Sequence, residues 1–141
     1  MPSEGVVPSS RQVSEQMSRH PRRDTGPEID LRRLLHAAGL RYRVHYPVPG
    51  MRRRTIDIAF TRQKVAVFID GCFWHGCGEH RNVPASNHDW WREKLMKNGR
   101  RDAETDAHLR SLGWRVIRAW EHEPAADIHW RVVRALIEPR R

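Results

Sequence analysis

The stretch TIDIAFTRQKVAVFID, residues 55–70, decides the fold expected of this chain. Two runs rich in β-branched and aromatic side chains, 55–60 and 65–69, flank a polar connection, and this pattern predicts two neighbouring strands. Asp57 interrupts the first run, and Asp70 follows the second. If the strands pair, both carboxylates lie at one end of the sheet.

Helical and strand patterns continue on both sides of this stretch. The predicted elements are a helix at 27–38 ended by Gly39, strands at 40–46, 55–60 and 65–69 with a charged turn at 52–54, a helix at 87–112, a strand at 114–120 and a helix at 125–137. This order predicts an α/β domain whose mixed sheet carries helices on both faces. Residues 1–24 are polar, basic and aperiodic. We therefore expect a flexible N-terminal arm before a single domain spanning 25–141.

The charge balance of the chain favours a polyanionic partner. The 141 residues carry a formal net charge of +9, and lysine occurs only at 64, 94 and 97, so the excess is mostly arginine. Arginine offers bidentate contacts to phosphate and guanine, although a high arginine content also reflects genome base composition. The sequence shows no hydrophobic leader and no apolar run of membrane-spanning length. We expect a soluble, cytoplasmic protein without a membrane partner.

A short loop after the third strand holds both cysteines of the chain. Cys72 and Cys77, with His80 close behind, supply three ligands suited to tetrahedral zinc if a fourth arrives from elsewhere. His75 lies between the cysteines and is available for proton chemistry beside Asp70. The alternative is a pair of buried free cysteines with incidental histidines. Because the ligand types cluster so closely, we expect zinc.

Acidic residues form a second candidate metal site. Asp57 and Asp70 can share a Mg²⁺ ion, since Mg²⁺ prefers carboxylate oxygens and retained waters. Glu28, in the first turn of the opening helix, can complete this set, and His75 can deprotonate a water beside the metal. Alternatively, Asp57 is a polar edge-strand residue and Glu28 an ordinary carboxylate interacting with the helix dipole.

Three segments together resemble a known family. DGCFWH at 70–75, WWREK at 90–94 and LGWRVI at 112–117 are similar to the very short patch repair endonucleases, the Vsr family. The resemblance extends from residue 14 to 137. Members nick one DNA strand beside a T:G mismatch left by deamination of 5-methylcytosine. The resemblance implies a restriction-endonuclease-like, PD-(D/E)xK-type αβββαβ core with a zinc-bound loop and a C-terminal helix.

The resemblance also assigns roles to individual residues. Asp57 matches the metal-binding aspartate of the family, His75 its catalytic histidine and Glu28 the glutamate of its first helix. Asp70 stands where the family founder has a histidine, which suggests that Asp70 either binds Mg²⁺ or orients a hydrated ion. The alternative is a strand-end residue that caps the turn at Gly71. The residues expected to contact DNA are Met17 from the minor groove, the aromatics Phe73, Trp74 and Trp91 from the major groove, and Lys94 and Asn98 on the long helix. For Lys94 and Asn98, a solvated charged face is the competing interpretation, and for Trp91 it is packing in the core.

The resemblance supplies the fourth zinc ligand. The family founder has a cysteine just after the Trp-Glu pair of its last strand, and here Trp120-Glu121 is followed by His122. The implied set is Cys72, Cys77, His80 and His122, which is chemically sound for structural zinc.

The function implied is a monomeric, Mg²⁺-dependent, zinc-stabilised endonuclease. It would hydrolyse the phosphodiester 5′ of the T in T:G mismatches in double-stranded DNA, with mismatch-repair proteins as potential partners. One alternative is a nickase of the same fold with another lesion or site preference. The other is a non-catalytic, zinc-ordered DNA-binding module, although such a module has no use for an acid within a strand beside a histidine.

Overall fold

A computed structural model describes residues 25–71 and 88–138. Within these residues the elements are α1 (Gly26–Ala37), β1 (Arg43–Val48), β2 (Met51–Phe60), β3 (Val65–Asp70), α2 (His88–Ser111), β4 (Arg115–Trp120) and α3 (Ala125–Ile137). The four strands form one sheet in the order β1-β2-β3-β4. β1, β2 and β3 are antiparallel neighbours, while β3 and β4 run parallel. The predicted mixed α/β architecture is confirmed for this part of the chain.

A capping box starts α1. The Thr25 Oγ1 accepts a hydrogen bond from the Glu28 backbone N–H at 3.4 Å, and the Glu28 Oε2 accepts one from the Thr25 N–H at 3.3 Å. This reciprocal pair satisfies two amides that lack partners within the helix. Leu31 and Leu35 follow on the buried face of α1. The cap therefore fixes both the start of the helix and the position of the Glu28 carboxylate.

Strand alternation builds one core layer on each face of the sheet. Successive residues of β3 alternate between the two layers, with Val65, Val67 and Ile69 in the first and Ala66 and Phe68 in the second. The first layer contains buried side chains of α1 and α3. The second contains Leu109 from the end of α2, with Trp114. Helices thus cover both faces, as the sequence predicted.

The β1–β2 hairpin turns at Pro49 and Gly50, so the predicted charged turn at 52–54 is wrong. Those arginines continue β2 instead. Gly50 has φ +85°, and a Cβ there would lie 3.1 Å from the His108 Nε2, which also contacts the Pro49 carbonyl oxygen at 2.5 Å. Only glycine tolerates both the positive φ and the close approach of α2. The hairpin is thereby fixed against the long helix.

The hairpin changes face in its middle. Ile56 and Ile58 are two residues apart and would share a face in a regular strand, yet they lie in opposite core layers. Opposite this switch, His45 of β1 has φ 49°, a left-handed conformation that is uncommon for residues other than glycine. Asp57 lies at the switch itself.

The other elements match their predictions closely. α3 has the predicted bounds, α2 is shorter by one residue at each end, β1 is shifted towards the turn, and β3 includes Asp70. Among the residues described, no helix is both long and apolar enough to cross a membrane. The predicted arm at 1–24 and most of the cysteine loop lie outside the described residues.

Candidate active site

Asp57 is fixed where β2 and β3 stop pairing. The register of these strands ends at Ile58 opposite Val67, and past it the Asp57 Oδ2 accepts a hydrogen bond from the Ile69 N–H at 2.7 Å. The Asp57 carboxylate thus accepts the hydrogen bond of a β3 amide that has no β2 residue paired with it. This bond holds the carboxylate at the end of the sheet where β2 and β3 separate.

Three potential ligands converge at this end. One atom each from Glu28, His45 and Asp57 lie within 4.8 Å of one another. Glu28 comes from the capped first turn of α1, His45 from β1 and Asp57 from β2. Glu28 is only 2% exposed, which is unusual for a carboxylate without a compensating charge. The donor set of two carboxylates and one imidazole suits a divalent cation.

The electrostatics of this group favour a bound cation. The pKa of Asp57 is raised from an ordinary 3.8 to about 7, first by burial and then by the negative charges of Glu28 and Asp70. The Ile69 hydrogen bond and the charge of His45 act in the opposite direction. A carboxylate crowded by like charges in a desolvated site holds its proton unless a cation offsets the repulsion. The residues present therefore fit a divalent metal.

Asp70 lies outside this group of three ligands. Its Oδ1 is 2.8 Å from the Arg118 Nη1, and the same guanidinium binds Asp106 at 2.8 Å and approaches Asp102 at 3.8 Å. The guanidinium also lies 4.2 Å from the centre of the Phe68 ring. Because side chains alternate along β3, Asp70 shares the face of Phe68 towards α2. The carboxylate is near enough to influence Asp57 but is held by an ion pair.

The remaining predicted residues are placed as follows. Trp91 is 4% exposed with its ring against that of Trp90, so stacking on DNA requires its surroundings to open. Lys94 and Asn98 are half-buried on α2, and His122 is half-buried in the turn after β4. The residues outside the described part are Met17, Cys72, Phe73, Trp74, His75, Cys77 and His80. Their assigned roles, and the zinc site as a whole, stay predictions.

Sequence reasoning missed His45 and Arg118. The Pro49-Gly50 pair is a strong turn signal, but a two-residue turn there would set His45 opposite Arg54. A register shift between Pro47 and Val48 brings His45 opposite Asp57 instead, and the turn alone does not predict that shift. The sequence gives no comparable signal for Arg118. It is one of many arginines, and its role depends on the folded position of α2, which places Asp102 and Asp106 beside it.

Comparisons with known proteins identify the family of this chain. Residues 7–81 match the family model described as DNA mismatch endonuclease Vsr. The chain is 43% identical over 126 residues to the type II nicking enzyme V.NaeI of Lentzea aerocolonigenes, covering 87% of this chain and 75% of the relative. It is 40% identical over 103 residues to the type II nicking enzyme V.XorIIP of Xanthomonas oryzae, covering 72% and 73%.

A third relative carries the name of the family itself. The DNA mismatch endonuclease Vsr of Escherichia coli is 38% identical over 104 residues, covering 70% of this chain and 62% of the relative. The family model and the relatives together show that the chain belongs to the Vsr family of DNA endonucleases.

Proposed function

We propose that this protein is a Mg²⁺-dependent endonuclease that nicks duplex DNA 5′ of the T in T:G mismatches arising from 5-methylcytosine deamination. The observation that carries the proposal is the convergence of Glu28, His45 and Asp57 ligand atoms within 4.8 Å, in a chain of this family. A pure DNA-binding module gains nothing from burying two carboxylates together. The non-catalytic alternative is therefore disfavoured.

The residues divide the chemistry between them. Asp57, with Glu28 beside it and Asp70 as a further candidate ligand, would hold the cation, which would offset the negative charge that builds on the phosphate. His75 would accept the proton of the attacking water, and the 3′-hydroxyl would leave. The Ile69 N–H fixes the Asp57 carboxylate in place before substrate arrives.

Recognition of the mismatch would use deformability. Met17 and the aromatics Phe73, Trp74 and Trp91 would wedge into the duplex, at an unstacking cost that is smallest where pairing is already faulty. Lys94 and Asn98 would contact base edges or phosphates. The net charge of +9 supplies the sequence-independent attraction to DNA. We propose a cytoplasmic monomer whose arm, 1–24, precedes a single nuclease domain, 25–141, with mismatch-repair proteins as candidate partners.

A nickase with another lesion or site preference is the second candidate. It is favoured by the relatives that are named type II nicking enzymes rather than mismatch endonucleases. Both candidates share the metal site and the proton chemistry and differ in the substrate chosen.

Cleavage mapping tests the proposal. End-labelled duplexes carrying T:G, U:G, another mispair or no mispair would be incubated with the protein, Mg²⁺ or EDTA, and the cut mapped. We expect a Mg²⁺-dependent cut 5′ of the mispaired T, in that strand alone. Equal nicking of the fully paired duplex would favour the second candidate, and no cutting of any duplex would overturn the nuclease assignment.

The role of Asp70 makes a separate prediction. If Asp70 is a cation ligand, Asp70→Asn keeps the side-chain size but loses the charge, so half-maximal nicking should require roughly tenfold more Mg²⁺. If its ion pair with Arg118 is its whole role, the variant should lose stability while its Mg²⁺ dependence stays unchanged. Nicking rates titrated against Mg²⁺, alongside thermal melts, separate the two roles. Superimposable titrations would remove Asp70 from the ligand set.

The predicted zinc site is tested through His122. Elemental analysis of protein purified without added metal should find about one zinc per chain. His122→Ala should lose the zinc and unfold at lower temperature, because four ligands from two segments tie the loop to the end of β4. His36→Ala, an exposed histidine in the last turn of α1, is the matched control. Zinc-free wild type, or a His122→Ala variant with unchanged zinc content and melting, would refute the site.

A further inference from the structure

Strand register sets His45 directly opposite Asp57. Val44 pairs with Ile58 and Tyr46 pairs with Ile56, so the residues between them face each other across the hairpin. The backbone is irregular at this point, and ligand atoms of the two side chains lie within 4.8 Å of each other. The proximity of His45 and Asp57 is thus built into the backbone pairing.

The backbone of His45 adopts an unfavourable conformation at the same point. Its φ of 49° lies in the left-handed region, which histidine enters rarely. Conformations of this kind cluster at functional sites because surrounding structure must enforce them. Here the consequence is specific: the imidazole joins the two carboxylates within the 4.8 Å group.

The donor chemistry of this group differs from an all-oxygen site. Mg²⁺ is a hard cation that keeps to oxygen ligands and waters, whereas first-row transition-metal ions also accept imidazole nitrogen. An imidazole beside Glu28 and Asp57 therefore adds affinity for transition metals and little for Mg²⁺. It also contributes a ligand without adding to the negative charge of the site.

We infer that His45 is a direct ligand of the cation, together with Glu28 and Asp57, and that the site binds a divalent transition-metal ion such as Mn²⁺ more tightly than Mg²⁺. The inference rests on the proposed function, in which Asp57 holds the cation. It adds an imidazole ligand that the sequence analysis did not assign and a metal preference that follows from it.

Electron paramagnetic resonance of Mn²⁺ added to the full-length protein tests the inference without measuring nicking. Mn²⁺ suits the test because it prefers oxygen and nitrogen donors over the thiolates of the predicted zinc site. Loss of the free-ion signal gives the affinity, and pulsed measurements detect a directly bound nitrogen. The variants are His45→Asn, since asparagine tolerates the left-handed backbone, and His36→Asn as the exposed control.

We expect a directly bound nitrogen in the wild type and in His36→Asn, and its loss in His45→Asn. Mn²⁺ affinity should fall roughly tenfold or more in His45→Asn, with a smaller fall for Mg²⁺ measured by competition. If His45→Asn fails to fold, the absence of a bound nitrogen in the wild type would still overturn the inference. Two results would overturn the inference: no bound nitrogen in the wild type, or equal affinity of the wild type for Mn²⁺ and Mg²⁺.

Asp57→Asn distinguishes the possible failures. If it abolishes Mn²⁺ binding while the wild type shows no bound nitrogen, the cation site of the proposed function stands and the role of His45 falls. If Mn²⁺ binding is unaffected by Asp57→Asn, the proposed cation site falls as well.

Discussion

Replacing Asp57 by asparagine should abolish nicking and, at pH 8 without divalent metal, make the protein more stable. The first effect follows because asparagine cannot supply the negative charge that holds the cation, and we expect a loss of about 10³-fold or more. The second follows because asparagine carries no charge, so the cost of burying a charge and the repulsion from Glu28 and Asp70 both disappear. The amide oxygen of the new side chain can still accept the Ile69 hydrogen bond.

The stabilisation should depend on pH. The pKa of Asp57 is raised from 3.8 to about 7 by burial first and neighbouring charges second, so the folded state holds this proton while the unfolded state has lost it. The free energy of unfolding of the wild type consequently falls as pH rises from about 4 to 7. Above pH 7, where the folded state has also lost the proton, the destabilisation is complete. The asparagine of the variant has no proton to lose. The variant should be more stable by roughly 2 kcal/mol at pH 8 and differ little at pH 4.

Thermal melts in EDTA at both pH values, together with nicking rates in Mg²⁺, measure the two effects. Asp30→Asn, which removes an exposed carboxylate from α1, is the matched control and should leave both quantities nearly unchanged. Nicking by Asp57→Asn at the wild-type rate would remove Asp57 from the catalytic site. A variant less stable than wild type at pH 8 would mean that the surroundings of Asp57 stabilise its charged form rather than destabilise it.

Much of the fold could be predicted because it rests on local patterns. The 3.6-residue period of α3 and the continuous apolar run of β3 each identify their element without reference to the rest of the chain. The turn at 52–54 was misplaced because three adjacent arginines are typical of an exposed loop. The arginines instead extend β2, where Arg54 reaches back to α2, with its Nη1 3.0 Å from the Thr105 Oγ1 and its Nη2 2.8 Å from the Glu104 Oε1.

Part of the site could also be predicted, because two of its residues stand out in local sequence patterns. Asp57 and Glu28 stand out because each is a carboxylate at a position that favours burial or a helix start. The position of His45 depends on the hairpin register, which shifts between Pro47 and Val48 and so does not follow from the turn position alone. The ion pair of Asp70 could not be foreseen either, since it depends on a helix and a strand that are distant in sequence from β3.

Replacing Arg118 by methionine should destabilise the protein more than any surface substitution, by about 3–5 kcal/mol. Burial alone would lower the pKa of Arg118, but hydrogen bonding to Asp106 and the charges of Asp70 and Asp102 raise it above its usual value. The guanidinium is therefore the charge that three partly buried carboxylates share. Methionine preserves packing against Phe68 but removes the positive charge that these carboxylates share.

Two comparisons isolate this mechanism. Arg131→Met removes a more exposed pair, with Glu123 at 3.3 Å, and should cost at most about 1 kcal/mol. Adding Asp70→Asn to Arg118→Met should restore part of the lost stability, because it removes one of the negative charges that repel each other once the guanidinium is gone. The deficit of Arg118→Met should also shrink at low pH, where protonation relieves the remaining repulsion.

Nicking should fall along with stability in Arg118→Met, because Arg118 holds the end of β3 from which the segment carrying His75 continues. Denaturant unfolding at pH 8 and pH 5, with nicking rates measured well below the melting temperature, tests both effects. If Arg118→Met were as stable as Arg131→Met, solvent would already screen the three carboxylates. Asp70 would then need no counter-charge from Arg118, and its carboxylate would be available to the cation at the sheet end.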